Sequence, residues 1–204
     1  MLRYAVRAVP WTRLAAAVVT VAVLLEVVRR WAWTMWPLQA CAVGLVAAAG
    51  AWSLDEPSAA VVDAAPRSLL WRTAARAIAL AAVLAAWLGL MWWVRASLFG
   101  HATDVALQGV SALVLASAAV TWARSGGTTT PGRATAIAVV PTAAFLGLAR
   151  PFADQVPLFP YGPDDDWARS RAIWVSVLAA GILLGAAALT DARWRVSSSR
   201  RQWP

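Results

Sequence analysis

"AIALAAVLAAWLGLMWWV", Ala77 to Val94, runs eighteen residues without a charge. A helix needs about 20 residues, within a range of about 17–25, to cross the hydrocarbon of a bilayer. Five more runs of the same kind lie at Leu14–Val28, Leu38–Leu54, Val105–Trp122, Ala134–Ala149 and Ala172–Thr190. The composition agrees, because 61% of the 204 residues are hydrophobic and only 14% are charged. A soluble domain has about a quarter of its residues charged. The pattern therefore predicts an all-α, polytopic integral membrane bundle: one transmembrane domain over residues 1–204, with about six spans. The first and fifth runs are short. Arg13 and the Arg29–Arg30 pair can extend the first by snorkelling, and Pro141 sets a kink in the fifth. The first two runs, joined by the short Arg29–Pro37 connection, form either a tight hairpin of spans or a re-entrant pair.

The basic residues orient the chain. All 18 are arginine, the net charge is +8, and they cluster between the apolar runs. That placement marks membrane flanks rather than a nucleic-acid surface. With the N-terminus inside, twelve arginines (3, 7, 13, 67, 72, 76, 124, 133, 193, 195, 200, 201) fall on cytoplasmic flanks and six (29, 30, 95, 150, 169, 171) outside. Positive charge favours the cytoplasm, so both termini are expected there, in a bacterial cytoplasmic membrane. Tryptophans mark depth independently: Trp11, Trp52, Trp71, Trp122 and Trp194 at inner ends, and Trp31, Trp33, Trp36, Trp92, Trp93 and Trp167 at outer ends. Indoles prefer the headgroup level. Trp87 and Trp174 sit deeper, as packing residues. The basic N-terminus lacks a convincing cleavage site, so the first run reads as a retained span. Cys41 is alone, which excludes a disulfide within the chain.

One polar interruption stands out, "LDEPSAAVVDAAPRSLLWR", Leu54 to Arg72. Ser53 and Glu56 have capping-box spacing, and Asp55 and Glu56 place negative charge where a helix N-terminus favours it. Pro57 suits a first turn. Ala60, Val61, Ala64 and Ala65 follow at helical spacing, and Pro66 closes the element. Ser68 can cap the next helix. The segment reads as a short helix on the cytoplasmic face, followed by a basic elbow.

With the following entry into the third run, Leu54 to Trp87, this segment resembles the small six-span permease subunits of ABC transporters, of the exporter-like class common in actinobacteria. The resemblance covers about a sixth of the chain. It implies that the segment is a coupling helix docking on a separate ATPase. Asp55, Glu56 and Pro57 would set its start, and Arg67 and Arg72 would flank the docking face. It also implies ATP and magnesium on that partner chain, none in this one, and either a second permease subunit or a homodimer. The other reading is a non-transporting accessory or scaffold subunit.

Enzymatic motifs do not appear. G-x-x-x-x-G-K-[ST] is impossible without lysine, and H-E-x-x-H, G-x-S-x-G and a cysteine pair are missing. The chain is therefore expected not to be an enzyme. His101, Asp104, Gln108 and Ser111 recur at helical spacing at the outer end of the fourth span; they either line a pathway or form a capped, wet first turn. Glu26 faces Arg29 and Arg30 three and four residues on, an interfacial ion pair to which Gln39 can add. Asp164, Asp165 and Asp166 either cap the sixth span or hold a divalent cation. Ala85 and Gly89, and Gly181 and Gly185, have the small-residue spacing through which membrane helices approach one another, within the chain or towards a partner. The outer loop, residues 150–171, carries Phe152, Leu158, Phe159 and Tyr161, enough apolar surface to lie back on the bundle or form a small lid.

Overall fold

The computed structural model describes residues 9–55, 69–151, 155–163 and 166–200, with 69, 70, 72 and 191–200 described by their backbone alone. The helices are α1 (Trp11–Arg30), α2 (Met35–Leu54), α3 (Leu69–Val94), α4 (Ala102–Ser125), α5 (Pro131–Ala149) and α6 (Trp167–Arg200). Short 3-10 turns, Ala32–Thr34 and Arg95–Ser97, follow α1 and α3, and no strand occurs among the described residues. All six helices are long and apolar enough to cross a membrane, α6 over Trp167–Thr190. They alternate in direction. One end of the bundle holds Asp55 and Ser125, and the other holds Arg30 and His101.

Helix ends follow local chemistry rather than apolarity, so the helices outrun the apolar runs. α5 starts at Pro131, three residues before its run, because proline is pre-set for a first helical turn. It then passes through Pro141 as one helix and stops where Arg150 adopts a left-handed φ of 44° ahead of Pro151. α4 ends where Gly127 takes φ 92°, a conformation open to glycine. Its last turn is tied off by Arg124, which donates to the carbonyls of Thr128 and Thr129 at 3.0 and 3.2 Å. α6 is capped by Asp166, whose Oδ1 accepts from the Arg169 amide at 2.9 Å. Asp164 and Asp165 lie outside the described residues, so only Asp166 of the triplet is placed. α1, at 20 residues, is long enough without help.

α2 and α4 form the centre. α2 packs against α1, α3, α4 and α5, while α4 packs most extensively on α6. Alanine and glycine permit this close approach, which replaces hydrophobic expulsion as the driving term between apolar helices. A Cβ at Gly44 would lie 2.8 Å from Ala143 Cβ, and one at Gly147 would lie 2.3 Å from Ala40 Cβ. So α2 and α5 interlock through Ala40/Gly44 and Ala143/Gly147. Gly181 does the same on α4, where its Cβ would meet the Leu115 backbone at 3.1 Å, and Gly185 faces Ala118. This pair therefore packs within the chain. Ala85 and Gly89 do not: both are exposed on α3, and nothing lies within 4 Å of a Cβ at Gly89.

Trp87 fills the space between α1, α2 and α4 at 1% exposure, its indole N–H donating to the Ala106 carbonyl at 3.0 Å. Trp31, Trp33, Trp36, Trp92, Trp93 and Trp122 are exposed near helix ends. Trp167 departs from that belt. It is 3% exposed and turned inwards, because its ring is stacked on His101.

Candidate functional site

Three features bear on function, and the polar stripe of α4 is the first. Its helical spacing aims Asp104, Gln108 and Ser111 at α6 and α2, where all three are buried. Asp104 accepts two hydrogen bonds from Arg171 of α6, Oδ1 from Nε at 2.6 Å and Oδ2 from Nη2 at 3.1 Å. That bidentate geometry matches a planar guanidinium to a carboxylate. His101 Nδ1 lies 3.2 Å from Asp104 Oδ2, and its ring lies flat on Trp167 with centroids 4.2 Å apart. One turn deeper, Gln108 Oε1 accepts from Gln39 Nε2 at 2.6 Å. Gln39 thus pairs in the interior instead of joining the Glu26 patch, because α2 packs on α4 and turns it inwards. Glu26 itself is held by Arg29 and Arg30 at 2.7 Å each.

The connector between α5 and α6 is tied down by one carbonyl. The oxygen of Leu158 accepts from Trp174 Nε1 at 2.8 Å, Ser170 Oγ at 3.3 Å and Gln108 Nε2 at 3.4 Å. Ser111 Oγ donates to the Trp174 carbonyl at 2.9 Å. Phe159 is buried, and Tyr161 lies under the Arg150 guanidinium with 4.7 Å to its centroid. The connector therefore lies back on the bundle; Phe152 is outside the described residues. All four stripe residues come together, with their polar groups engaged by α2, α6 and this connector.

Beneath that knot lies the second feature, an apolar cavity of about 330 Å³. Its floor is Gly44 and Ala47 of α2 with Ala112, Ala116 and Ala119 of α4. Val139, Thr142 and Ala143 of α5 form one wall, and Leu158, Phe159 and Trp174 close it towards the His101 end. It opens sideways, since α5 and α6 make no substantial contact with each other. None of His101, Asp104, Gln108 or Ser111 lines it. The stripe lies on the far side of the Leu158–Trp174 roof.

The third feature sits at the other end. Asp55 follows the last turn of α2 and is 5% exposed. Arg76 of α3, itself buried, donates from Nη1 to the carbonyls of Ser53 and Asp55. Those carbonyls lack helical partners, and a cation there also suits the helix dipole. α5 arrives at the same point: a Cβ at Gly132 would lie 2.6 Å from both the Ala51 carbonyl and Asp55 Cβ. Ser53 does not begin a capping box. It is the penultimate residue of α2 and donates to the Ala49 carbonyl at 2.8 Å, a bond open to serine only inside a helix. Glu56, Pro57 and Arg67 lie outside the described residues, as does the Arg72 side chain.

Arg171, Ser170 and Arg76 were not singled out from sequence as site residues. Depth could have found Arg171, because it and Asp104 both lie in the first turns of helices starting at the same end. Comparison of the chain with known protein families, curated proteins and solved structures yields no match.

Proposed function

We propose that the chain is the membrane-spanning subunit of an ABC transporter, moving a lipidic or amphipathic compound while a separate ATPase chain binds magnesium and hydrolyses ATP. Both termini and the 54–72 and 124–133 connections then face the cytoplasm of a bacterium, as the arginine distribution favours. The observation that carries this reading is the junction at Asp55. There the root of the α2–α3 connection touches α3 through Arg76 and α5 through Gly132. A push on that connection reaches α5 directly, and α5 is a wall of the lateral cavity. A subunit driven by an external motor requires such a link between its cytoplasmic surface and its substrate cavity.

The test is to isolate the protein from its native membrane with whatever co-purifies. An ATPase chain should accompany it, and its hydrolysis should respond to lipidic compounds. Gly132→Val wedges a branched side chain into the 2.6 Å contacts at Asp55 and so separates α5 from the junction. It should give an assembled complex whose ATPase no longer responds, since coupling energies of about 1–3 kcal/mol are erased by shifts of this kind. Gly89→Ala, in open space, should leave the response intact. If no ATPase accompanies the chain, or if Gly132→Val keeps full stimulation, the accessory-subunit reading takes its place.

A further inference from the structure

We propose that the cavity between α5 and α6 holds one acyl chain of a bilayer lipid, entering sideways between the two helices. This names the substrate class for the transport reading and rests on that reading for its purpose, though not for its occupancy. Three observations lead there. The walls are almost wholly apolar. Of their three side-chain donors, two are already engaged: Thr142 Oγ1 donates to the Ala138 carbonyl at 2.8 Å, and Trp174 Nε1 donates to Leu158, which leaves the Thr135 hydroxyl as the one polar group on the lining. A guest polar along its length would lose most of its solvation without compensation. The opening faces sideways from a bundle whose helices are apolar enough for a membrane, so the material at the opening is acyl chain.

The main competitor is a helix of a second copy, about 10 Å across with its side chains. A polymethylene chain is far thinner than a helix and would need only the space between the floor and the α5 wall. On an open helix face a lipid tail touches protein on one side only. Here it meets α2 and α4 below, α5 beside it and the Phe159–Trp174 roof at its end. Dispersion contacts accumulate with the number of neighbouring atoms, which distinguishes a held chain from one in passing exchange.

The experiment uses the full chain in nanodiscs of phosphatidylethanolamine and phosphatidylglycerol, without any ATPase. A phosphatidylethanolamine carrying a diazirine on one acyl chain is photolysed, and adducts are mapped by mass spectrometry. Adducts should concentrate on Leu146, Phe159 and Trp174 over the lipid-facing Ile182 and Leu183. Ala119→Phe, which fills the floor, should lower the cavity adducts about fivefold, equivalent to roughly 1 kcal/mol. Leu183→Phe should not. Ala112→Leu is the milder filling variant should Ala119→Phe fail to fold, and the wild-type map decides by itself. Equal labelling of Leu183 and the cavity overturns the proposal. So does cavity labelling indifferent to both filling variants, or a disulfide between two copies through Leu146→Cys. Cavity labelling in a protein that recruits no ATPase leaves the lipid site standing and removes only the transport reading.

Discussion

Gly109→Ala tests the packing at the centre of the bundle. A Cβ at Gly109 would sit 2.2 Å from Trp87 Cε2, 2.4 Å from Nε1 and 2.5 Å from Cζ2. Carbon atoms pack at about 3.5–4.0 Å, so the indole must retreat by about 1.3 Å or more. It has nowhere to go, because the gap beside it, among Val21, Val46, Ala49 and Leu90, is about 10 Å³. The retreat also pulls Nε1 from the Ala106 carbonyl, now 3.0 Å away. Overpacking costs about 1–3 kcal/mol and the lost hydrogen bond about 1 kcal/mol, a total of about 2–4 kcal/mol. Reversible unfolding in mixed micelles, followed by circular dichroism, measures it. Trp87→Phe replaces the fused indole with a single ring and removes its N–H and Cζ2, so in that background the added methyl should cost much less. The double-mutant cycle should then return an interaction energy of about 1–3 kcal/mol, within the range for touching residues. Additive effects would show that Gly109 and Trp87 are not in contact, and the placement of α3 against α4 would be wrong.

Two further predictions concern the ends of the bundle. Asp104→Ala removes the acceptor for Arg171 and the partner of His101, and should lower Tm by about 2–4 °C while leaving the chain inserted; an unchanged Tm would show that the pair does not join α4 to α6. In a Cys41→Ala background, a membrane-impermeant maleimide should label Gln155→Cys in intact cells and Thr129→Cys only after permeabilisation; the reverse pattern would invert the orientation.

Apolar run length was enough to count the helices, because absence of charge over about 18–20 residues is a one-dimensional property. Where helices end was less legible. Pro131 and Asp166 act through backbone geometry and capping, which an apolarity scan passes over. Which helix faces which was largely hidden. Gln39 and Gln108 are 69 residues apart in sequence, and nothing in either run says that α2 lies against α4. Arg76 was hidden for a similar reason: its acceptors are backbone carbonyls, present at every residue and marked by no side chain.

The small residues of α2 and α5 were the strongest signal left unread, and with Gly181 they explain why a cavity exists at all. Ala40/Gly44 and Ala143/Gly147 draw α5 onto α2, and Gly132 continues that seam to the Asp55 end. Gly181 draws α6 onto α4 instead. Each of these peripheral helices is thus committed to a different central helix. A gap opens between them, and its floor includes Ala47, Ala112, Ala116 and Ala119. Small residues build the α2–α5 seam, with the Ala143 methyl set against Gly44 and the Ala40 methyl against Gly147. The α2–α5 seam is the one that reaches Asp55 and Arg76. Under the proposed transport function, α5 is therefore the wall whose movement would be linked to the root of the α2–α3 connection, through the contact of Gly132 with Asp55.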